Sequence, residues 1–111
     1  MFALRMKTVA VAAIALAPLL APLDARANPN EVDIDNFDFS PMILTVPAGT
    51  KVTWVNHDDI PHTVRSADDP PAFKSSPMDT DESFSFTFKK SGTYPYFCAI
   101  HPKMTAEIIV K

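Results

Sequence analysis

Beyond residue 30 the chain alternates apolar and polar residues with a period of two, interrupted by Pro, Gly, Asn and Asp. Successive side chains of a strand point to opposite faces, so this rhythm marks strands that pack on one face and meet water on the other. Residues 31–39 set Val32, Ile34, Phe37 and Phe39 against acidic and polar neighbours and predict one strand, although the rhythm slips near Asn36. Residues 42–46 form a short apolar run, closed by the turn-forming Pro47-Ala48-Gly49. Residues 50–56 place Val52, Trp54 and Asn56 on one face, and 62–66 are short and β-branched. Residues 83–88 put Phe84, Phe86 and Phe88 on one side; 92–98 and 106–110 complete the set. Residues 67–80, rich in Asp, Pro and Ser, read as a long surface connection with room for a short helical turn. Strands at this spacing predict one all-β domain, a Greek-key antiparallel β-sandwich.

The first 27 residues follow a different logic. Arg5 and Lys7 precede an apolar run over 9–23, and Ala25-Arg26-Ala27 offers small residues where a signal peptidase cuts. That order predicts a cleavable signal peptide over 1–27 and a mature domain over 28–111. A membrane anchor fits less well, because a spanning helix needs about 20 apolar residues and Pro18 and Pro22 interrupt this run. The chain of 111 residues carries a net charge of −3. The mature part is more acidic still, since the leader holds Arg5, Lys7 and Arg26 against Asp24 alone. Neither nucleic acid nor anionic lipid suits such a surface. Cys98 is the only cysteine, so no internal disulfide can form. A single thiol in an oxidising compartment points to pairing with another molecule or to a thiol with its own chemistry.

That chemistry is suggested by Tyr94-Pro95-Tyr96-Phe97-Cys98-Ala99-Ile100-His101-Pro102-Lys103-Met104. A predicted strand delivers Cys98, a tight loop follows, and a second strand leaves after Met104, so thiolate, imidazole and thioether can fold onto one point. Pro61-His62 adds an imidazole from elsewhere in the chain. Two histidines and a cysteine with a weak axial methionine make the blue-copper arrangement: thiolate and thioether suit Cu(I), and imidazole suits both oxidation states. Cys-x2-His alone would accept zinc as well, and each residue singly reads as core filler or solvated loop. Their joint occurrence in an exported all-β chain points to copper.

These stretches, with Val46-Pro47-Ala48-Gly49-Thr50-Lys51-Val52-Thr53-Trp54-Val55-Asn56, resemble the cupredoxins, and within them the amicyanin and plastocyanin-like group. The short Cys98–Met104 loop is similar to that of amicyanin. The resemblance implies a cupredoxin-like fold and one type 1 copper ion held by His62, Cys98, His101 and Met104. It implies a periplasmic, monomeric carrier of single electrons, not an enzyme, whose partners are redox proteins such as a c-type cytochrome or a dehydrogenase. His101 would face water inside a docking patch formed with Pro61, Ile100, Pro102 and Met42, with Lys103 standing where amicyanin has an aromatic residue.

Three departures from the family pattern carry expectations. Thr63 stands where many members have Asn and Ala99 where they have Ser or Thr, which predicts a weaker tie between the ligand loops. Ile100 replaces a proline and keeps its N–H, which is predicted to donate to the Cys98 sulfur beside the N–H of Thr63. Asp58, Asp59, Asp68 and Asp69 read as a solvated rim, or as a docking patch for a basic partner. His57, Met42 and Met78 read as solvated or packing residues. Two rival functions stay open: a periplasmic copper carrier or buffer, and a piece of a multicopper oxidase or nitrite reductase. The latter needs more histidines than His57, His62 and His101.

Overall fold

The computed structural model describes residues 28–111; the predicted signal peptide over 1–27 lies outside the described residues. Eight strands form two four-stranded sheets. One contains β1 (Glu31–Asp35), β2 (Asp38–Ser40), β4 (Thr50–Asn56) and β6 (Ser83–Phe88), in the order β2-β1-β4-β6. The other contains β3 (Ile43–Val46), β5 (Arg65–Ser66), β7 (Gly92–Phe97) and β8 (Thr105–Val110), in the order β3-β8-β7-β5. Each apolar set of the alternating strands faces the space between the sheets. On β4 that set is Val52, Trp54 and Asn56, all fully buried.

The sandwich is not purely antiparallel. β1 pairs with β4, and β3 with β8, in parallel. The cause lies in the chain path. After the β1–β2 hairpin the chain crosses to the second sheet as β3, then returns through Pro47-Ala48-Gly49 to enter the first sheet as β4. Gly49 (φ 96°) supplies the left-handed backbone there, and its N–H donates to Phe88 O at 2.6 Å. Pro95 is tolerated inside β7 because β5 has already ended at Ser66, opposite Tyr96. Its carbonyl still accepts the N–H of Ala67 at 2.9 Å.

Two predicted elements differ. The single strand expected over 31–39 is a hairpin, with Asn36 and Phe37 both left-handed (φ 54° and 63°) between β1 and β2. Two such residues make the tight turn whose twist matches that of paired strands, and they expel Phe37 to the surface, where it is 45% exposed. The segment over 67–80 is no surface connection either. It contributes Phe73, Ser75 and Met78 to the interior and contains no helix. Short hydroxyl side chains make this possible by pairing buried backbone groups. Ser66 Oγ accepts the N–H groups of Ala72 and Phe73, and Ser75 Oγ accepts that of Val64.

At the centre of the core, Trp54 stacks on Phe73 at 5.5 Å between ring centroids and meets Tyr96 edge-on at 5.5 Å. Phe84 and Phe88 close around the same indole. Trp54 Nε1 and Tyr96 Oη are buried with no hydrogen bond of good geometry, and burial pushes the Tyr96 phenol above its ordinary value, partly offset by the nearby indole. Tyr96→Phe should therefore change stability by less than about 1 kcal/mol, because no satisfied bond is lost. Trp54→Ala should cost roughly 3–5 kcal/mol through the cavity it opens. Denaturant unfolding of the two variants measures both.

Candidate metal centre

The site is built at one end of the sandwich, where β4 leads toward His62 and β7 delivers Cys98. Buried Asn56, at the end of β4, shapes the first of these loops. Its Nδ2 donates to Ile60 O at 3.0 Å and to Met78 O at 2.9 Å, while its Oδ1 accepts the N–H of Asp58 at 3.0 Å. Both amide hydrogens and the carbonyl are thus satisfied, and the chain from 56 to 62 is wound about one side chain. His62 is then fixed to Met78 by a pair of backbone bonds, 3.2 and 2.9 Å long. On the other loop, the N–H of Cys98 donates to Met104 O at 3.1 Å and that of Met104 to His101 O at 2.9 Å. This closes residues 98–104 into a tight turn.

The two loops meet at Cys98. Its Sγ lies 3.8 Å from His62 Nδ1 and 3.7 Å from His101 Nδ1, and the three donor atoms lie within 4.8 Å of one another. His62 and Cys98 are fully buried, Met104 is 6% exposed, and His101 is half-buried. Of the four predicted residues, three bring donor atoms to one point. Met104 is packed in the core cluster and lines the surface hollow beside His101.

Thr63 ties the loops together. Its N–H donates to Cys98 Sγ at 3.3 Å, its hydroxyl lies 3.8 Å from the same sulfur, and Thr63 Oγ1 accepts the N–H of Ala99 at 2.7 Å. Thr63 and Ala99 thus keep the two loops tied. Ala99 needs no side-chain hydroxyl because its backbone N–H makes the bond. The expectation that Ile100 N–H supports the sulfur is corrected. Burial raises the Cys98 thiol, but the N–H of Thr63, the rings of His62 and His101 and the N–H of His101 outweigh it, lowering the thiol from 9.0 to about 6. No hydrogen bond runs from the Ile100 N–H to the sulfur, whereas the amide of His101 is among the groups that lower the thiol.

Asp58 was read as part of a solvated rim, and the structure places it against the site. Its Oδ2 accepts from His62 Nε2 at 2.7 Å and from the N–H of Phe37 at 2.9 Å, and its Oδ1 accepts from the N–H of Asn36 at 2.6 Å. Burial would raise its pKa, but the amides of Phe37 and Asn36 and the His62 ring prevail and hold it below 3.8. A bond from Nε2–H selects the tautomer whose Nδ1 lone pair would serve a metal held between the rings and the sulfur. Phe37 is the other residue that sequence reasoning misplaced. Its ring stands edge-on over His62 at 5.4 Å and His101 at 5.1 Å. The break in alternation at Asn36 was the available signal for both.

The hollow at the surface has a volume of about 490 Å³ and is lined by Phe37, Ile100, His101, Pro102, Lys103 and Met104. Met42, expected there, lines a different depression with Ile43, Pro95 and Thr105. Phe37 supplies the aromatic surface that Lys103 does not. His57 pairs with Asp33 at 3.0 Å, is 42% exposed and groups with Glu31 and Asp33, not with His62, Cys98 and His101. Asp59, Asp68 and Asp69 are solvent-facing.

The donor set fits copper. A triangle with two sides of 3.7 and 3.8 Å and the third no longer than 4.8 Å has a centre roughly 2.2–2.4 Å from each corner, which is close to ordinary metal–nitrogen and metal–sulfur bond lengths. Two imidazoles and one thiolate in a trigonal set, with a thioether nearby, are the ligands of a blue-copper site.

The chain belongs to the cupredoxins: the cupredoxin-like domain family matches residues 7–110. Amicyanin-alpha of Methylorubrum extorquens is 34% identical over 105 residues, covering 92% of this chain and 88% of that protein. Chloroplastic plastocyanin of Physcomitrium patens is 36% identical over 109 residues, covering 86% of this chain and 64% of the other. Among solved structures, a purple cupredoxin from Nitrosopumilus maritimus superimposes with a TM-score of 0.68 at 33% identity, covering 73% of this chain and 98% of the other.

Asn56→Ala removes three bonds that hold the His62 loop. It should destabilise the domain by roughly 2–4 kcal/mol, at about 1 kcal/mol per bond plus the cost of orphaned carbonyls, as read by denaturant unfolding.

Proposed function

We propose that this protein is an exported carrier of single electrons, with one type 1 copper ion held by His62, Cys98, His101 and Met104. When bound, copper supplies a one-electron couple, Cu(II)/Cu(I). The protein's own residues do the rest. Thr63 and the two rings favour the thiolate form of Cys98. The buried His62 and Cys98 exclude water from one side, and Met104 is packed in the core cluster. Of the four, His101 is the most exposed and lines the surface hollow, so its ring is the route by which an electron enters or leaves. On this reading the protein is a carrier of electrons, not an enzyme, as its likeness to amicyanin and plastocyanin supports.

The single observation that carries this reading is the convergence of Cys98 Sγ, His62 Nδ1 and His101 Nδ1 around one point. A redox protein such as a c-type cytochrome or a dehydrogenase would dock over the largely apolar hollow beside His101, and a monomer suits repeated docking. The rival of a copper carrier or buffer calls for an open site that releases its metal. The covered His62 and Cys98 favour retention instead.

Adding one equivalent of Cu(II) to the purified protein should produce an intense visible band from thiolate-to-copper charge transfer, giving a blue colour. The band should be absent in Cys98→Ser. A colourless wild type contradicts the reading. Rapid loss of copper to a chelator while redox cycling is slow would favour the buffer instead.

The location follows from the leader. Cleavage after Ala27 would release a periplasmic domain beginning at Asn28. Intact mass of the secreted protein checks this, and a retained leader contradicts it.

A further inference from the structure

We propose that Asp58 is the positioning residue of this centre, one carboxylate that sets both the donor strength of His62 and the place of Phe37 over the imidazoles. The inference rests on the copper reading above and deepens it. Three N–H groups from two separate segments converge on this side chain: those of Asn36 and Phe37 from the β1–β2 turn, and Nε2–H of His62. Its side chain is only 12% exposed and the His62 ring is fully buried, so water competes little for these bonds.

Consider first the ring. A carboxylate on the far nitrogen of a ligating imidazole fixes the tautomer and ring orientation and makes the near nitrogen a stronger donor. A stronger donor with a negative charge behind it favours the more highly charged metal state. Asp58 should therefore hold the reduction potential below the value that the same ligands would give with a neutral partner.

The turn is the second half of the argument. Neither Asn36 nor Phe37 is glycine, yet both are left-handed (φ 54° and 63°), a conformation that is uncommon for a bulky aromatic residue. A ring that is 45% exposed gains little from burial there. The two short bonds from Asp58 to the backbone amides offset the strain. They leave the Phe37 ring edge-on to both histidines, within 5.4 Å of His62 and 5.1 Å of His101. Because the bonds are to backbone, the control runs one way. Removing the carboxylate frees the ring, whereas removing the ring leaves the carboxylate bonded. Phe37 also lines the hollow beside His101, so whatever presses on that face bears on the turn that Asp58 holds.

The test compares wild type, Asp58→Asn, Asp58→Ala and Phe37→Ala by NMR without metal and by voltammetry with copper. In the metal-free wild type and Phe37→Ala, His62 Nε2–H should be observed and exchange slowly. In Asp58→Ala it should exchange fast, and the Phe37-to-His101 ring contacts should vanish. With copper, Asp58→Asn and Asp58→Ala should both shift the potential upward. An unchanged or lower potential in Asp58→Asn overturns the electronic half. Intact Phe37 contacts in Asp58→Ala overturn the structural half. Should either variant fail to fold, adding Asn36→Gly relieves the left-handed turn, and the same potential shift decides. A wild type that takes up no copper overturns the reading of the site and the electronic half with it, while the metal-free spectra still decide the clamp.

Discussion

The architecture depends on one junction, the pairing of Thr63 with Cys98 and Ala99 across two loops distant in sequence. The N–H of Thr63 reaches the sulfur, and its hydroxyl receives the N–H of the next residue on the facing loop. A buried thiolate would otherwise be costly, since a charge taken out of water needs partners. Here those partners are built into the backbone. They bind the sulfur before any metal arrives and bring His62 to it, because residue 62 precedes the residue that makes the bond. The sandwich behind serves this junction. β4 and β7 lie in different sheets, and packing of Trp54 against Tyr96 fixes how those sheets meet.

Around that junction the environment is graded. His62 and Cys98 see no solvent, Met104 very little, and His101 meets the surface. A metal held this way has one exit for an electron and few ways to lose its ligands. Donors that already converge also need to move little between oxidation states, which suits rapid transfer in both directions. Asp58 and Phe37 extend the same economy outward, linking the buried imidazole to the face where a partner would dock.

Much of this was legible in the sequence, for particular reasons. β4 and β6 were found because their apolar residues alternate, and β7 and β8 because they are short apolar and aromatic segments flanking the ligand loop. The four ligand candidates stood out because few other arrangements need Cys, His and Met in that order with a Pro-His upstream. What stayed hidden were features carried by backbone groups, which no side-chain pattern records. The amide of Ala99 makes the tie that its methyl side chain could not suggest, and the N–H of Thr63, not that of Ile100, bonds the sulfur. Asp58 looked like one of several surface acids because its partners are two amides of a turn that period-two reading had merged into a strand. Phe37 fell with that error, since a continued strand would have buried it. The segment 67–80 was misread because Ser66 and Ser75 satisfy buried amides while looking like loop residues.

The most direct test of a preformed trigonal site is X-ray absorption at the copper edge on the oxidised and then the reduced protein. One sulfur and two nitrogen scatterers should appear at short distance, with the set and its distances nearly unchanged on reduction. A first shell of nitrogen and oxygen only, or a change in ligand number between the two states, would contradict the account.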